Sequence, residues 1–518
     1  MQRIETSHLP LRLTSVAILI VAAVLRVYHL ELTPLHHDEG VNGYFLVHLF
    51  RDYVYRYDPA NYHGPTLYYF ALPSAYLFGL TTFAIRMVTA AFGVATVWLA
   101  LKLRSHLGYP AALVAASLIA VSPGAVYLSR YFIHETLFVF FTLAMLAAAL
   151  RYHDEPARRH LVIVSVWAAL LFATKETALI SAAVLLGAFS LAAVYIRFRA
   201  RAQSEPSTPS PTSNEWPLIV EVDGKVPGLL NRRGIRKLFA HWIAPAVCFV
   251  LISGLLYSSF LSNPRGAADA LRTVEFWIRT GRSEHTHAWY QYLGWLWREE
   301  SPLLVLGAIG SVAAVWRADS RFGIAAALWG TALIFAYSIL PYKTPWLTLN
   351  FIIPLALVGS YGVIAICKGS RAIWRRLFAG ALVLSALAIL AYRSVSLSFY
   401  HYDDDGYAYV YAHTRREFLS LVQKVEDLAG QSGKGRDISI AVTSTDYWPL
   451  PWYLRDYTSV GYYGKVMKST DALVIGSEAQ APELEPLLGE QYQRLDSYLL
   501  RPGVNLVIYA RRDIFNVN

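Results

Sequence analysis

Directly after its first apolar run the sequence reads HHDEG, which sets His36, His37, Asp38 and Glu39 side by side. YHGP follows with His63, then SRYFIHE with Arg130, His134 and Glu135, TKET with Lys175 and Glu176, and PYKTPW with Tyr342 and Lys343. A carboxylate in such a set can take the proton of an attacking hydroxyl or amine, and carboxylates with histidines can hold a divalent ion. Single cations on separate segments can converge on a phosphate and stabilise the charge that develops as it leaves. Plainer readings exist for single members: Asp38 and Glu39 as solvated loop charges, Arg130 as a helix-mouth arginine that snorkels to the interface, Glu176 as an ion-pair partner. The recurrence of Glu135, Lys175 and Lys343 on separate turns favours chemistry. No Walker-type or GxGxxG loop is present, so a lipid phosphate head group fits better than a nucleotide.

These residues need a frame, and composition supplies it. Of 518 residues, 55% are hydrophobic and 16% charged, with a mean hydropathy of +0.36. Soluble domains run nearer a quarter charged, so the fold class is an α-helical polytopic membrane protein. Apolar runs long enough to cross ~30 Å of hydrocarbon lie near 11–30, 82–104, 108–122, 135–151, 160–174, 177–197, 237–261, 302–317, 322–340, 347–367 and 374–392, eleven spans in all. The first lacks a small-residue cleavage site and is read as a retained helix. The run 65–80 is read as re-entrant or interfacial, because a full crossing there would invert every later connection.

The formal net charge of +10 is an orientation signal rather than a nucleic-acid footprint. Every second connection is basic: Lys102 to Arg104, Arg151 to Arg159, Arg197 to Lys237, Arg317 to Arg321 and Lys368 to Arg376, with the N-terminal tail. These connections and the N-terminus are expected in the cytoplasm of an inner or plasma membrane protein. The chemically suggestive residues then lie in the outward connections. Cys248 and Cys367 are too far apart to suggest a metal or redox motif.

Residues 1–392 form the expected transmembrane domain, with a first external loop 31–81, a Pro/Ser-rich cytoplasmic linker 198–236 and an external loop 262–301 that could close over the site. Residues 393–518 read as a small extracytoplasmic α/β domain, with strands at 438–444, 471–476 and 504–510 and helical stretches near 413–430 and 481–491. Between the two lies YHYDDDGYAYVY (400–411), better read as a solvated turn than as a metal or sugar contact. Farther on, WPLPWYLRDY (448–457) offers Trp448, Trp452 and Tyr453 either for stacking on a glycan or lipid or for packing against the membrane face.

The ordered set HHDEG, LYYF, AIRMVTAAFGVATVWLALKLR, SPGAVYLSRYFIHETLFVFF, ATKETALI and YKTPWLTLNFIIPLAL resembles the GT-C glycosyltransferases over essentially the whole chain. It is similar to the protein O-mannosyltransferases and the lipid A aminoarabinose transferase, and looks nearest to the flippase-activity-associated subgroup. The resemblance implies inverting transfer of a sugar from a polyprenyl-phosphate donor to a protein, lipid or glycan acceptor on the extracytoplasmic face. It implies Asp38 as general base with Glu39 as partner, and Glu135 holding acceptor or metal with His134 and His37 beside it. Lys175 and Lys343, with Tyr342 and Arg130, would meet the donor phosphate. Where the aminoarabinose transferases have Lys before the first-loop Pro, this chain has His63 and Gly64 before Pro65, so His63 is the candidate there. A divalent metal (Mg, Mn or Zn) on Asp38, Glu135 and His36 is a further expectation. The alternative function is a non-catalytic, flippase-associated protein that binds polyprenyl-linked glycans.

Overall fold

The computed structural model describes residues 9–61, 63–203, 232–280, 286–368 and 372–515, and only the backbone at 232–240 and 274–280. Most of the proposed linker 198–236, and Arg282 and His285 of the external loop, lie outside the described residues.

Each of the eleven apolar runs contains a helix. Among the described residues eight helices have the length and composition of a membrane span, or nine if the pair Tyr109–Val121 and Pro123–Arg130, bent by 63°, is one span. The chain is a multi-pass membrane protein. The remaining two runs do not pass as spans on these criteria: Arg158–Phe172 has 15 residues, about 22 Å of helix, and the described part of the other, His241–Tyr257, is a shorter apolar helix. The run at 65–80 becomes Thr66–Phe78, whose 13 residues reach about 20 Å and stop short of a crossing.

The helix Leu349–Cys367 is buried along nearly its whole length. It packs on Gln291–Arg317 through glycines: a Cβ at Gly310 would lie 2.0 Å from the Val358 carbonyl oxygen, and one at Gly362 would lie 2.5 Å from the Gly310 Cα. One expectation changes here. The external loop was drawn through residue 301, yet helix resumes at Gln291 and kinks at Glu300, just before Pro302. That kink faces the break at Ser122, where Glu300 Oε1 accepts hydrogen bonds from the Ser122 hydroxyl (2.7 Å) and the Gly124 amide (2.8 Å).

Basic connections meet at one end of the bundle. Arg199 donates to the Trp316 carbonyl, Arg317 and Lys368 share Asp319, and His106 pairs with Asp154 and lies against Phe322. The segments carrying Asp38, His63, Glu135, Lys175 and Lys343 lie at the helix ends opposite.

The C-terminal region forms a five-stranded sheet in the order β2-β1-β3-β5-β4, with β1 Ser439–Val442, β2 Ser459–Tyr462, β3 Leu473–Ser477, β4 Tyr492–Arg501 and β5 Val504–Arg511. The first three strands in this order are parallel, and β5 runs antiparallel to β3 and β4. Phe418–Gln431 covers one face through Phe418, Leu421 and Val425, and Ala481–Leu488 covers the other through Leu484 and Leu488. The strands at β1, β3 and β5 match the sequence reading; β2 and β4 were not anticipated.

This region docks on the second helix, His37–Asp52. A Cβ at Gly40 would lie 2.6 Å from Pro449 Cβ, and one at Gly43 would lie 2.6 Å from the Trp452 ring. The Tyr453 hydroxyl accepts from the Leu35 amide (2.9 Å), Arg455 donates to the Leu80 carbonyl, and Arg51 pairs with Asp456. Trp452 and Tyr453 therefore pack rather than await a ligand. Gly43→Val is expected to overpack this contact at a cost of about 1–3 kcal/mol. Limited proteolysis should then release the C-terminal region earlier than in wild type; an unchanged digestion pattern would show that the contact does not hold the two together.

Candidate active site

The site is built around a buried ion pair. Glu39 sits in the first turn of the second helix and is completely buried, as is Arg86, on the helix Thr82–Lys102. Arg86 Nε and Nη2 donate to the two Glu39 oxygens at 2.7 and 2.6 Å. The other guanidinium protons go to the carbonyls of Leu30, Thr33 and Pro34, at the end of the connection from the first helix, Leu9–Val27. Glu39 also accepts from the backbone amides of His36 (2.9 Å) and Phe132 (2.8 Å). Every donor of the arginine is therefore used, and both oxygens of the glutamate accept twice. Glu39, read in the sequence as the catalytic partner of Asp38, is placed as an anchor with no exposed atom.

His36 caps the second helix: its Nδ1 accepts from the Asp38 amide (3.1 Å) and Glu39 completes the capping box. Because a backbone N–H only donates, Nδ1 is unprotonated, and Nε2–H donates to the Tyr411 carbonyl (3.1 Å). Asp38 is half-buried, and its carboxylate makes no hydrogen bond among the described residues. Burial works against its charge, but the fields of His36, His37, His63 and Lys175 outweigh it and hold the pKa below the ordinary aspartate value. His37 Nδ1 accepts from Arg501 (3.3 Å), and burial lowers this imidazole to about 4, so it is neutral at pH 7 with Nε2–H as a donor.

Near Asp38, the first loop and the turn 173–177 are stitched together. The Gly64 amide donates to the Thr174 carbonyl, the Thr66 amide to that of Ala173, and a Cβ at Gly64 would lie 2.0 Å from the Ala173 oxygen. Glycine before Pro65 is therefore a requirement of close approach. His63 Nδ1 lies 3.1 Å from Glu176 and its ring 4.8 Å from that of His134, whose Nε2–H donates to the Gly64 carbonyl. Burial opposes the Glu176 charge, yet His63 and Lys175 keep its pKa below the ordinary value. Lys175 donates to Glu135, and although burial disfavours its charge, Glu135 and Glu176 raise its pKa above the ordinary value. One ammonium proton is used by Glu135, which leaves donors for an incoming anion.

Two predicted phosphate ligands sit differently. Arg130 donates to the carbonyls of Leu25, in the last turn of the first helix, and of Tyr28 and His29 just beyond it, and stacks on Phe399, so it closes that helix end. Lys343 is buried and donates to the carbonyls of Leu340 and His287, while Tyr342 pairs as a β-bridge with Thr286. The segment 286–287 of the external loop is thus strapped onto the Lys343 turn. Asp405 pairs with Arg415, and Asp404 accepts from the Gly406 amide, which makes the triple-aspartate stretch a turn. The donor set does not fit a divalent ion: both His36 nitrogens are engaged, His134 is bonded to backbone and Glu135 to Lys175. Among the described residues no group of three ligating side chains comes together.

Sequence reasoning passed over Arg86, although an arginine inside an apolar span is itself a signal of a buried partner. It also passed over Glu299 and Glu300, whose partners are the Ala408 amide and the Ser122 turn.

Structural comparison finds ArnT from Cupriavidus metallidurans, in a crystal structure bound to undecaprenyl phosphate, at a TM-score of 0.65 and 14% identity, covering 98% of both chains. The apo crystal structure of that protein matches at 0.64, 14% identity, 98% of this chain and 99% of that one. The fold is GT-C. The dolichyl-phosphate-mannose-protein mannosyltransferase family matches residues 62–202, a stretch of the GT-C fold that includes His63, Glu135 and Lys175. No curated protein matches the chain. Within this GT-C fold the Glu39–Arg86 pair carries its own expectation. Arg86→Leu leaves Glu39 buried without its counter-charge, which costs about 3–5 kcal/mol. Purified in detergent it should unfold at a clearly lower temperature than wild type, whereas Asp38→Asn should unfold with wild type.

Proposed function

We propose that the protein is an integral-membrane glycosyltransferase that moves a sugar from a polyprenyl-phosphate donor to an acceptor outside the cytoplasm, with inversion. The observation that carries this reading is the state of Asp38. It is the carboxylate at the site without a hydrogen-bond partner among the described residues, with His37, His63 and Lys175 near enough to act on its charge. ArnT, bound to undecaprenyl phosphate, supports a lipid phosphate as the donor's leaving group. The gathering of basic connections at the far end of the bundle supports an outward-facing site.

In this reading the acceptor hydroxyl or amine attacks the anomeric carbon while Asp38 takes its proton. The bond from that carbon to the phosphate oxygen breaks, and the electron pair leaves with the polyprenyl phosphate. Lys175 meets the charge on that phosphate, with His63 nearby as a further donor. Glu39, Arg86 and Glu135 are positioning residues: the first two fix the helix start that carries Asp38, and the third holds Lys175. No step needs a metal.

The test is consumption of a radiolabelled polyprenyl-phosphate sugar by the purified full chain. Asp38→Asn should lower transfer by at least about 100-fold, the usual scale for a general base, and Lys175→Ala should lower it similarly through the leaving group. Exhaustive chelation should leave the rate unchanged. Saturable donor binding without consumption in wild type would instead favour a non-catalytic carrier.

The pH profile is a separate check. A base whose pKa lies below the ordinary aspartate value stays ionised at neutral pH, and its activity is lost only as pH falls through that lowered pKa. The acid limb of kcat/KM should therefore lie below about pH 4. A limb centred near 6.5 would assign the essential proton to a histidine.

A further inference from the structure

The WPLPWYLRDY segment divides its aromatic residues between two tasks. Trp452 is buried against Gly43 and Tyr453 is tied to Leu35, so these two make the docking contact. Trp448 is left half-buried beside the N-terminal turn of the second helix, 3.3 Å from where a Cβ would stand on Gly40, itself two residues after Asp38. Its ring lies 6.2 Å from His37 and 6.0 Å from Tyr44, which is 45% exposed. On its other side Tyr447 follows at 5.4 Å, and Tyr462 of β2 lies 5.2 Å beyond that. Four aromatic rings therefore run from the sheet to the turn of the second helix that carries His37 and Asp38.

The polar groups along this array are those of saccharide recognition. Asp446 exposes half of its side chain and pairs with Arg501, which also donates to His37, and His37 keeps Nε2–H as a donor. Flat aromatic faces pack the apolar C–H face of a pyranose, while a carboxylate, a guanidinium and an imidazole N–H bond its hydroxyls. A lipid chain would leave those charged groups unmatched. We infer that Tyr447, Trp448, Tyr462 and Tyr44, rimmed by Asp446 and Arg501, form a saccharide-binding subsite that presents a glycan-bearing acceptor to Asp38. This rests on the glycosyl-transfer reading for its purpose, but the binding itself can be measured without turnover.

The full chain in lipid nanodiscs, carrying Asp38→Asn so that no transfer occurs, is applied to an array of immobilised oligosaccharides. Retention of specific glycans is expected. Adding Trp448→Ala should weaken retention on the order of tenfold, and Trp448→Phe, which keeps a stacking face, should restore most of it. Tyr462→Ala, at the end of the array remote from the second helix, should weaken binding as well and serves if Trp448→Ala lowers the unfolding temperature. No glycan retained, or retention indifferent to both alanine variants, overturns the subsite. Undiminished transfer by Asp38→Asn, measured separately, would remove Asp38 as base while leaving a Trp448-dependent glycan interaction standing.

Discussion

Five guanidinium protons and one carboxylate hold one end of this helical bundle in register. Arg86 enters from the helix Thr82–Lys102, well inside an apolar run, and an arginine there costs several kcal/mol unless every donor is matched. Its donors reach the carbonyls at 30, 33 and 34 and both oxygens of Glu39, and Glu39 in turn takes the amides of His36 and Phe132. Three stretches of chain distant in sequence, 30–39, Arg86 and Phe132, therefore meet at one buried charge pair. The direction in which Asp38 points is a consequence, because Asp38 is the next residue on a helix turn that cannot move without unpairing that charge.

The carboxylates at this end of the bundle have separate environments, and the environments assign separate work. Glu39 is saturated by Arg86 and two amides; Glu135 is held by Lys175, and Glu176 lies against His63. Asp38 alone of these remains without a hydrogen bond among the described residues. The same sorting applies to the cations. Arg130 is consumed by backbone carbonyls, whereas Lys175 retains donors beside the stitched turn at Gly64. His63, two residues before Pro65, sets its Nδ1 3.1 Å from Glu176, whose own neighbour in sequence is Lys175.

Much of this was legible in the sequence, because apolar runs are governed by local composition. All eleven became helices. What the runs do not encode is where polar residues find partners. The helix Gln291–Arg317 begins well before its apolar stretch because Glu299 and Glu300 are matched by Ala408, Ser122 and Gly124, contacts more than a hundred residues away. In the C-terminal sheet the central strands β1, β3 and β5 were visible as apolar runs, while β2 and β4 lie at the two edges, half-exposed, and β4 carries register shifts that blur its alternation. The residue types of the site were legible at Asp38 and Lys175. The roles of Glu39 and Arg130 were not, since each is decided by a partner on another helix.

Buried arginines also impose an order on synthesis. Arg86 follows Glu39 by 47 residues, so its counter-charge has already left the ribosome when it reaches the membrane. Arg26 has no such provision: its longer-range carbonyl partners, Ile119 and Ala120, come 93 and 94 residues later. At about 5–20 residues per second the first helix must wait roughly 5–20 s with its guanidinium unmatched by them. During that interval the charge sits in the last turn of its helix. The first helix is thus inserted early and locked late, and the bent segment at Ser122 is the piece whose arrival completes it.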